Sequence, residues 1–201
     1  MDESLQLEGV YGQMKLSKSK TNPSDGIPLD STSSSFESLF HEYWAPIYRL
    51  LLRLVTDPSE AEDLALEAFF RLYQNHPLPE QEFNTRGWLH KVATNLGLHS
   101  IRSFKRREKY EINAGRGALD EAPENQPSEI FAKKEDRRIA QTALAQMNPR
   151  QAELLVLRYS GMAYKEIASA MRLSHTSIGP LLLRAEREFE KRYRALEEEK
   201  K

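Results

Sequence analysis

The run from Trp88 to Lys109 constrains this chain more than any other stretch. Apolar residues recur in it at three- and four-residue intervals, the period of an α-helix with one buried face. They are Trp88, Leu89, Val92, Ala93, Leu96 and Leu98. The opposite side carries amides, hydroxyls and cations opposed only by Glu108, the cations being Lys91, Arg102, Lys105, Arg106, Arg107 and Lys109. Cations neutralise phosphates while aromatic and amide groups meet exposed bases, so this helix suits a partly unpaired nucleic acid.

Helical patterning covers most of the rest of the chain, and nothing reads as a strand. The first half predicts helices over 36–55, 58–74 and 88–109, the second half over 128–147, 149–159, 163–171 and from Ser174 or Ser177 to Leu196. Ser35, Asp57, Thr85 and Asn148 are the predicted caps, and Pro46 is expected to bend or split the first helix. The predicted class is all-α, with two small helical domains joined by a flexible acidic linker.

Composition divides the chain into four segments. Residues 1–35 are rich in Ser and lack an apolar period, which predicts a disordered extension. A first domain is predicted over 36–109, a linker over 110–129 and a second domain over 130–201. The two short helices before Leu196, joined by a tight turn, are typical of a helix-turn-helix.

Charge is segregated along the chain although the net charge is only -1. Residues 36–85 contain 3 Lys and Arg and 9 Asp and Glu, whereas residues 86–109 contain 7 and 1. The corresponding counts are 3 and 7 in residues 110–136, and 13 and 8 in residues 137–201. An acidic block followed by a basic block predicts two kinds of partner, a basic protein surface and a polyanion.

Several function classes find no support in the sequence. With no cysteine there is no disulfide and no thiolate metal site, which fits a reducing compartment. No membrane span or signal peptide is visible, so a cytoplasmic location without membrane contact is predicted. No phosphate-cradling glycine loop or metal-ligand spacing occurs, and no enzymatic activity, cofactor, metal or small-molecule substrate is predicted.

The motifs of both domains resemble those of the sigma-70 family of bacterial RNA polymerase sigma factors, in its short extracytoplasmic-function type. The first domain carries LLRLVTDPSEAEDLALEAFFRLYQ and RGWLHKVATNLGLHSIR, and the second carries NPRQAELLVLRYSGMAYKEIASAMRLSHTSIGPLLLRAEREF. The resemblance covers roughly 36–109 and 138–196, which would be sigma regions 2 and 4. It implies a non-enzymatic initiation subunit that binds core RNA polymerase, through its clamp coiled coil and flap, and promoter DNA. An anti-sigma factor is a further implied partner.

The resemblance assigns the acidic helix to core polymerase, with Glu62, Asp63, Glu67 and Phe70 as the expected contacts. Exposed carboxylates steer a basic partner, and a neighbouring aromatic supplies buried area. Leu66 stands where the family often has Gln. The acidic linker resembles the segment that threads toward the RNA exit path, where it would mimic RNA or act as a passive tether.

The helix from Trp88 resembles the family's promoter-melting helix, which captures unpaired bases of the -10 element. The expected contacts there are Trp88, Lys91, Asn95, Arg102, Lys105, Arg106 and Arg107. Asn95 would meet a base edge, the cations would follow the backbone, and the loop 75–86 would carry a pocket for a flipped base. Trp88 lies on the apolar stripe, which also fits a core position, and His99 stands where the family commonly has Asp.

The recognition helix departs from the family pattern, because Gly179, Pro180 and Leu181 occupy places that are usually polar or basic. The expected -35 contacts are His175, Thr176, Ser177, Arg184 and Arg187, a thin set for direct base reading. Three alternatives follow. The -35 element is read through backbone and DNA shape, the leucine row is a protein interface, or the domain uses another register.

Two other functions compete with the sigma factor. One is a helix-turn-helix regulator that binds DNA without polymerase, and the other is a sigma-like interaction protein with weak -35 reading.

Overall fold

Seven α-helices and no strand make up the described residues of a computed structural model, which are 29–75, 84–113 and 128–199. In order they are α1 (Leu29–Val55), α2 (Pro58–Asn75), α3 (Thr85–Asn113), α4 (Ser128–Gln146), α5 (Pro149–Tyr159), α6 (Tyr164–Met171) and α7 (His175–Glu198). The all-α class is confirmed.

The first bundle consists of α1, α2 and α3. Their inward faces are apolar at helical spacing, and the buried set is Ile47, Leu51, Leu54, Ala61, Ala65, Ala68, Phe69, Leu72, Leu89, Ala93 and Leu98. Gly97 lets α3 approach α1 closely, because a Cβ added there would lie 2.7 Å from Leu54 Cδ1. This close approach fixes which face of α3 turns outward.

The second bundle consists of α4 to α7, with α7 packed against the other three helices. Asn148 caps α5, since its side-chain oxygen accepts from the Arg150 amide at 3.0 Å. Gly161 ends the turn after α5 with φ of 91°, a left-handed conformation that glycine adopts without Cβ strain. Ile167 of α6 and Ile178 of α7 are fully buried, which locks the helix-turn-helix.

The two bundles are in contact within one compact unit, residues 36–201. The connecting element is α3, which packs against α2 on one side and against α4, α5 and α6 on the other. Buried apolar residues of both bundles form one continuous cluster. The described face of α3 therefore meets protein where the sequence predicts nucleic acid.

Three local predictions need correction. Helix α1 begins at Leu29, so Ser35 lies inside it and residues 29–35 are helical rather than part of a disordered extension. Once a helix is nucleated, each added residue gains a hydrogen bond, which allows polar residues to extend it. The helix also continues through Pro46 without a break. The cap of α3 is Asn84 rather than Thr85, because its side-chain oxygen accepts from the Gly87 amide at 2.9 Å. Residues 1–28 lie outside the described part of the chain.

The start of α7 agrees with the first of the two predicted starts, because the helix begins at His175 with Ser174 as its N-cap residue. Pro180 is therefore inside the helix, where the only intrahelical bond it removes is the one its missing N–H would make to the Thr176 carbonyl. The predicted cap at Asp57 is confirmed, because its side chain accepts from the Glu60 amide at 3.2 Å. The linker prediction falls mostly on residues 114–127, outside the described residues.

Candidate nucleic-acid and polymerase interfaces

The outer face of α2 carries the acidic residues that the sequence assigns to a basic partner. Glu62 and Asp63 are exposed, and Glu67 is half-buried and pairs with Arg71 at 2.7 Å. Phe70 lies beside them with 55% of its surface exposed. An exposed aromatic ring beside carboxylates supplies apolar area and charge to one interface.

Two further apolar residues on α2 were missed as candidate contacts. Leu66 is 47% exposed and Tyr73 is 61% exposed, and with Phe70 they stand at i, i+4 and i+7. This stripe lies about 100° around α2 from buried Ala65, Phe69 and Leu72. The spacing of this stripe is visible in the sequence. When a helix already has one apolar stripe that packs on the core, a second apolar stripe indicates a surface for a partner.

The amide and cationic residues on the first half of α3 already have partners in the second bundle. Lys91 Nζ donates to the Ala170 carbonyl at 2.9 Å. Asn95 Nδ2 donates to Glu153 Oε1 at 3.3 Å, although the Asn95 residue remains exposed. Trp88 is half-buried and packs against the core, which favours its structural interpretation.

Glu153 is a buried carboxylate on α5 that the sequence analysis did not single out. Only 9% of its surface is exposed, in a helix whose neighbouring positions are leucines and valine. Burial raises the pKa of the Glu153 carboxyl above its ordinary value, although Lys91, Asn95 and Arg150 act in the opposite direction. The sequence signal for this residue is a single acid at a position whose helical neighbours are apolar. The sequence does not indicate which residues contact that acid.

The second half of α3 carries the cations expected on DNA phosphates. Arg106 and Arg107 are exposed, whereas Lys105 pairs with Glu108 at 2.9 Å and lies over the Phe104 ring. Glu108 also pairs with Arg138 of α4 at 2.9 Å. Burial raises the pKa of the Glu108 carboxyl. The hydrogen bonds from Lys105 and Arg138 outweigh burial and hold this pKa below its usual value.

A cleft of about 830 Å³ separates this part of α3 from α4. Its cationic lining consists of Arg102, Lys105, Arg106, Lys109 and Arg138. Arg102 Nη2 is buried there without a hydrogen-bond partner, and burial lowers the pKa of this guanidinium from its usual value. The electrostatics of the cleft favour an anion.

His90, a buried residue behind this face, is a structural group. It is 3% exposed, and the Arg86 carbonyl accepts a hydrogen bond from its Nδ1 at 2.9 Å. Burial lowers the pKa of this imidazole, so His90 is neutral and does not add to the cationic surface.

The expected -35 residues lie at the start of α7 and on its outer side. His175, Thr176, Arg184 and Arg187 are exposed and Ser177 is half-buried. Of the leucine row that follows, Leu182 is 3% exposed, Leu181 half-buried and Leu183 49% exposed. Leu182 therefore belongs to the core of the helix-turn-helix, so fewer leucines of this row are exposed to form a protein interface.

Within 29–75, 84–113 and 128–199, acidic, His and Cys side chains form no group of three that could hold a metal ion. In that same part of the chain, no helix combines the length and apolar content needed to cross a membrane. The predicted pocket for a flipped base falls largely on residues 76–83, outside the described residues.

Comparison with known proteins divides the chain at the same place as the two bundles. Residues 39–108 match the family model described as Sigma-70 region 2, and residues 137–189 match the one described as Sigma-70, region 4. The chain belongs to the sigma-70 family, in its extracytoplasmic-function type. In this sigma-70 chain the region 2 match spans α1 from residue 39 onward, α2 and most of α3, and the region 4 match spans the helix-turn-helix.

Relatives of this sigma-70 chain include two mycobacterial proteins. The extracytoplasmic-function RNA polymerase sigma factor SigE of Mycolicibacterium smegmatis is 30% identical over 68% of this chain and 53% of its own length. SigG of Mycobacterium tuberculosis is 26% identical over 79% of this chain and 48% of its own length. The chain thus spans about half the length of these curated relatives.

A solved structure shares the fold of this sigma-70 chain. It is CnrH, determined in complex with the cytosolic domain of CnrY, with a TM-score of 0.51 at 15% identity, covering 83% of this chain and 94% of that one. This likeness concerns the fold alone.

Proposed function

We propose that this chain is a sigma factor that binds core RNA polymerase, recognises promoter -10 and -35 elements and promotes DNA melting. The observation that carries the proposal is the occurrence of regions 2 and 4 in one chain, with an acidic and apolar face on α2 and a cationic and amide face on α3. Polymerase makes the phosphodiester bonds, so the chain itself acts without catalysis.

Core polymerase binding would use the exposed face of α2. Glu62, Asp63 and Glu67 steer and orient a basic coiled coil, while Phe70, with Leu66 beside it, supplies the apolar contact. Aromatic side chains in such positions commonly carry much of the binding energy. Region 4 would complete the complex by binding the flap.

Melting of the -10 element would use the outer face of α3. Captured bases have lost stacking and pairing, and their capture must offset a few kcal/mol for each flipped base. Asn95 offers a donor and an acceptor to a base edge, and Lys91, Arg106 and Arg107 neutralise phosphates. Lys105 and Arg102, which line the cleft beside α4, extend this cationic track.

Recognition of the -35 element would use the start of α7. His175, Thr176 and Ser177 lie in its first turn, and Arg184 and Arg187 follow on its outer side. Because α7 begins at His175, the residues of its first turn precede Pro180 on a helix in ordinary register, which favours reading through the backbone and DNA shape over a shifted register.

The cellular setting follows from the same proposal. Transcription places the protein in the cytoplasm with core polymerase and promoter DNA as partners. An anti-sigma factor is the expected regulator, since the exposed α2 face offers apolar and acidic surface to a competing protein.

In vitro transcription with purified core polymerase on a genomic promoter library tests this function. The proposal expects defined start sites that share -10 and -35 sequences and are absent with core polymerase alone. A full chain that yields no start sites above core alone, yet binds duplex DNA by itself, is instead a polymerase-independent regulator. Absence of both activities would leave the sigma-like interaction protein.

A further inference from the structure

We propose that the cleft between α3 and α4 is a binding site for a short polyphosphate, such as the phosphate chain of a nucleotide. The cleft has a volume of about 830 Å³, which lies within the range of pockets that hold small molecules and cofactors. The site goes beyond the proposed function and does not depend on it, because its ligand is a small anion rather than promoter DNA.

Five cationic side chains line this cleft and face one carboxylate, that of Glu108. The cations are Arg102, Lys105, Arg106 and Lys109 of α3 and Arg138 of α4. A cleft lined by one sign of charge between low-dielectric walls concentrates ions of the opposite sign. Three of the cations are arginines, and a planar guanidinium can donate two parallel hydrogen bonds to a phosphate. The lining therefore matches an anion that carries several negative charges.

Arg102 carries a charge that such an anion would compensate. Its Nη2 atom is buried, and no acceptor among the described residues lies within hydrogen-bond distance of that atom. Burial lowers the pKa of this guanidinium from its usual value, because removal from water disfavours the charged form. A buried charged group without a partner bears a desolvation cost. An anion in the cleft would offset that cost, which favours binding.

Glu108 positions one cation on each side of the cleft. Its Oε2 accepts from Lys105 Nζ at 2.9 Å, and its Oε1 accepts from Arg138 Nη2 at 2.9 Å. An ammonium and a guanidinium together offer more N–H donors than one carboxylate can accept. Lys105 and Arg138 can therefore bind a phosphate while they remain paired with Glu108. The negative charge of Glu108 opposes an anion, so this residue limits the affinity of the site.

Apolar side chains in the lining favour a nucleotide over an inorganic phosphate chain. Ile139 and Ala145 of α4 and Leu196 of α7 line the cleft, and Ile139 is buried there. Thr142 and Gln146 of α4 add hydrogen-bonding groups beside them. Small-molecule sites commonly combine apolar surface with a few polar groups. The cations of α3 would bind the phosphates, and the apolar residues would contact the base or sugar.

Two variants test the site by changing its charge in opposite directions. Arg138→Gln removes a cation and should weaken polyphosphate binding by roughly tenfold, the usual loss for a charge-assisted hydrogen bond. Its control is Arg137→Gln, the same change at an exposed position of α4 outside the cleft lining. Glu108→Gln removes the carboxylate but keeps an oxygen that accepts from Lys105, and it should strengthen binding by roughly fivefold. Its control is Glu111→Gln, an exposed position of α3 outside the lining.

Isothermal titration calorimetry of the full-length protein measures the binding of two probes, sodium tripolyphosphate and ATP, in EDTA. We expect wild-type affinity for both controls, weaker binding by Arg138→Gln and tighter binding by Glu108→Gln. A gain of affinity is informative because a poorly folded variant would not show one. Tighter binding of ATP than of tripolyphosphate would assign the site to a nucleotide, and the reverse order to an inorganic chain. Absence of binding to the wild type, or equal affinities of Arg138→Gln and Arg137→Gln, would overturn the site.

Promoter DNA is the competing anion, because Arg102, Lys105 and Arg106 are also proposed -10 contacts. Arg138 is not one of them, so Arg138→Gln and Arg137→Gln should bind a labelled mixed-sequence single-stranded DNA within about twofold of each other. A loss for DNA equal to the loss for tripolyphosphate would overturn the small-ligand site and assign the cleft to DNA. If the two probes behave as expected but promoter-library transcription yields no start sites, the proposed function fails while this site stands.

Discussion

Two outer faces of the first bundle, those of α2 and α3, differ in what covers them, although both helices pack on the same hydrophobic core. The outer face of α2 is open, with an exposed apolar stripe of Leu66, Phe70 and Tyr73. The outer face of α3 is engaged by α4, α5 and α6, through Lys91, Asn95 and Glu108 among others. Under the proposed function, this difference predicts that the protein meets polymerase before it meets DNA.

The largest expected effect is on the open face. Phe70→Ala should weaken binding to core polymerase by roughly 30-fold or more, because truncating an aromatic anchor of an interface commonly costs 2 kcal/mol or more. Binding of dye-labelled protein to purified core polymerase measures this. The thermal midpoint should stay close to that of the wild type, since the ring is 55% exposed. Gln74→Ala, exposed on the same helix, is the control. Equal affinities for the two variants would remove Phe70 from the interface.

The second prediction concerns the cationic end of the covered face. Replacing Lys105, Arg106 and Arg107 by Ala should lower the slope of log affinity against log salt by about 2 to 3 for open complexes, since each phosphate contact contributes about 0.7 to 0.9. The triple variant Lys191→Ala/Arg192→Ala/Arg194→Ala removes the same charge from the far end of α7. The assignment of Lys105, Arg106 and Arg107 to DNA phosphates would be contradicted if their replacement left the salt slope unchanged. It would also be contradicted if the two triple variants had equal slopes.

The third prediction uses pH to probe the buried junction. A carboxyl whose pKa is raised in the folded protein contributes stability at pH below its unfolded value, about 4.3 for Glu, and loses it as pH rises through the folded pKa. Glu153→Gln should therefore gain stability relative to the wild type as pH rises from 4 to 7, with Lys91, Asn95 and Arg150 facing the site. Urea unfolding at several pH values measures it.

For Glu108 we expect the opposite dependence of stability on pH. Its pKa is lowered, so its contribution is present above the ordinary Glu value and is lost as pH falls. Glu108→Gln should lose stability relative to the wild type near neutral pH, and the loss should shrink toward acid. Parallel pH profiles for the two variants would show that these two carboxyls do not differ as the structure indicates.

The smallest expected effect is on α7. Arg184→Ala and Arg187→Ala should each weaken binding to promoter duplex by about threefold, with little dependence on the -35 sequence, because phosphate contacts position the protein without reading bases. Promoter competition assays with wild-type and altered -35 elements measure this. A loss that appears with one -35 sequence and vanishes with another would assign base reading to that arginine.

The sequence predicted the elements better than their assembly. Asp57 and Asn148 act as caps as predicted, because the cap bond is made within a few residues. The apolar stripe of α3 is buried at Leu89, Ala93 and Leu98 as expected, because helical period and burial are linked. The sequence left two starts open for α7, because Ser174 and Ser177 carry equal local signals, and the structure has the first.

The engagement of α3 was not predictable from local pattern. Lys91 binds a backbone carbonyl of α6, and any residue type at position 170 would supply that acceptor. Asn95 meets Glu153 across 58 residues of sequence, and one acid among leucines has no local sign of its partner. The roles of the site residues in binding polymerase and DNA stay predictions.

The dye distance between the two bundles with and without core polymerase tests the contrast between open and covered faces most directly. With dyes attached to Arg49→Cys and Glu197→Cys, exposed positions of the two bundles in a chain that has no cysteine, we expect high energy transfer in the free protein and low transfer once core polymerase is added, before any DNA is present. The Phe70→Ala variant should keep high transfer at the same polymerase concentration. Energy transfer that is unchanged by saturating core polymerase, or is already low in the free protein, would contradict the contrast between an open α2 face and a covered α3 face.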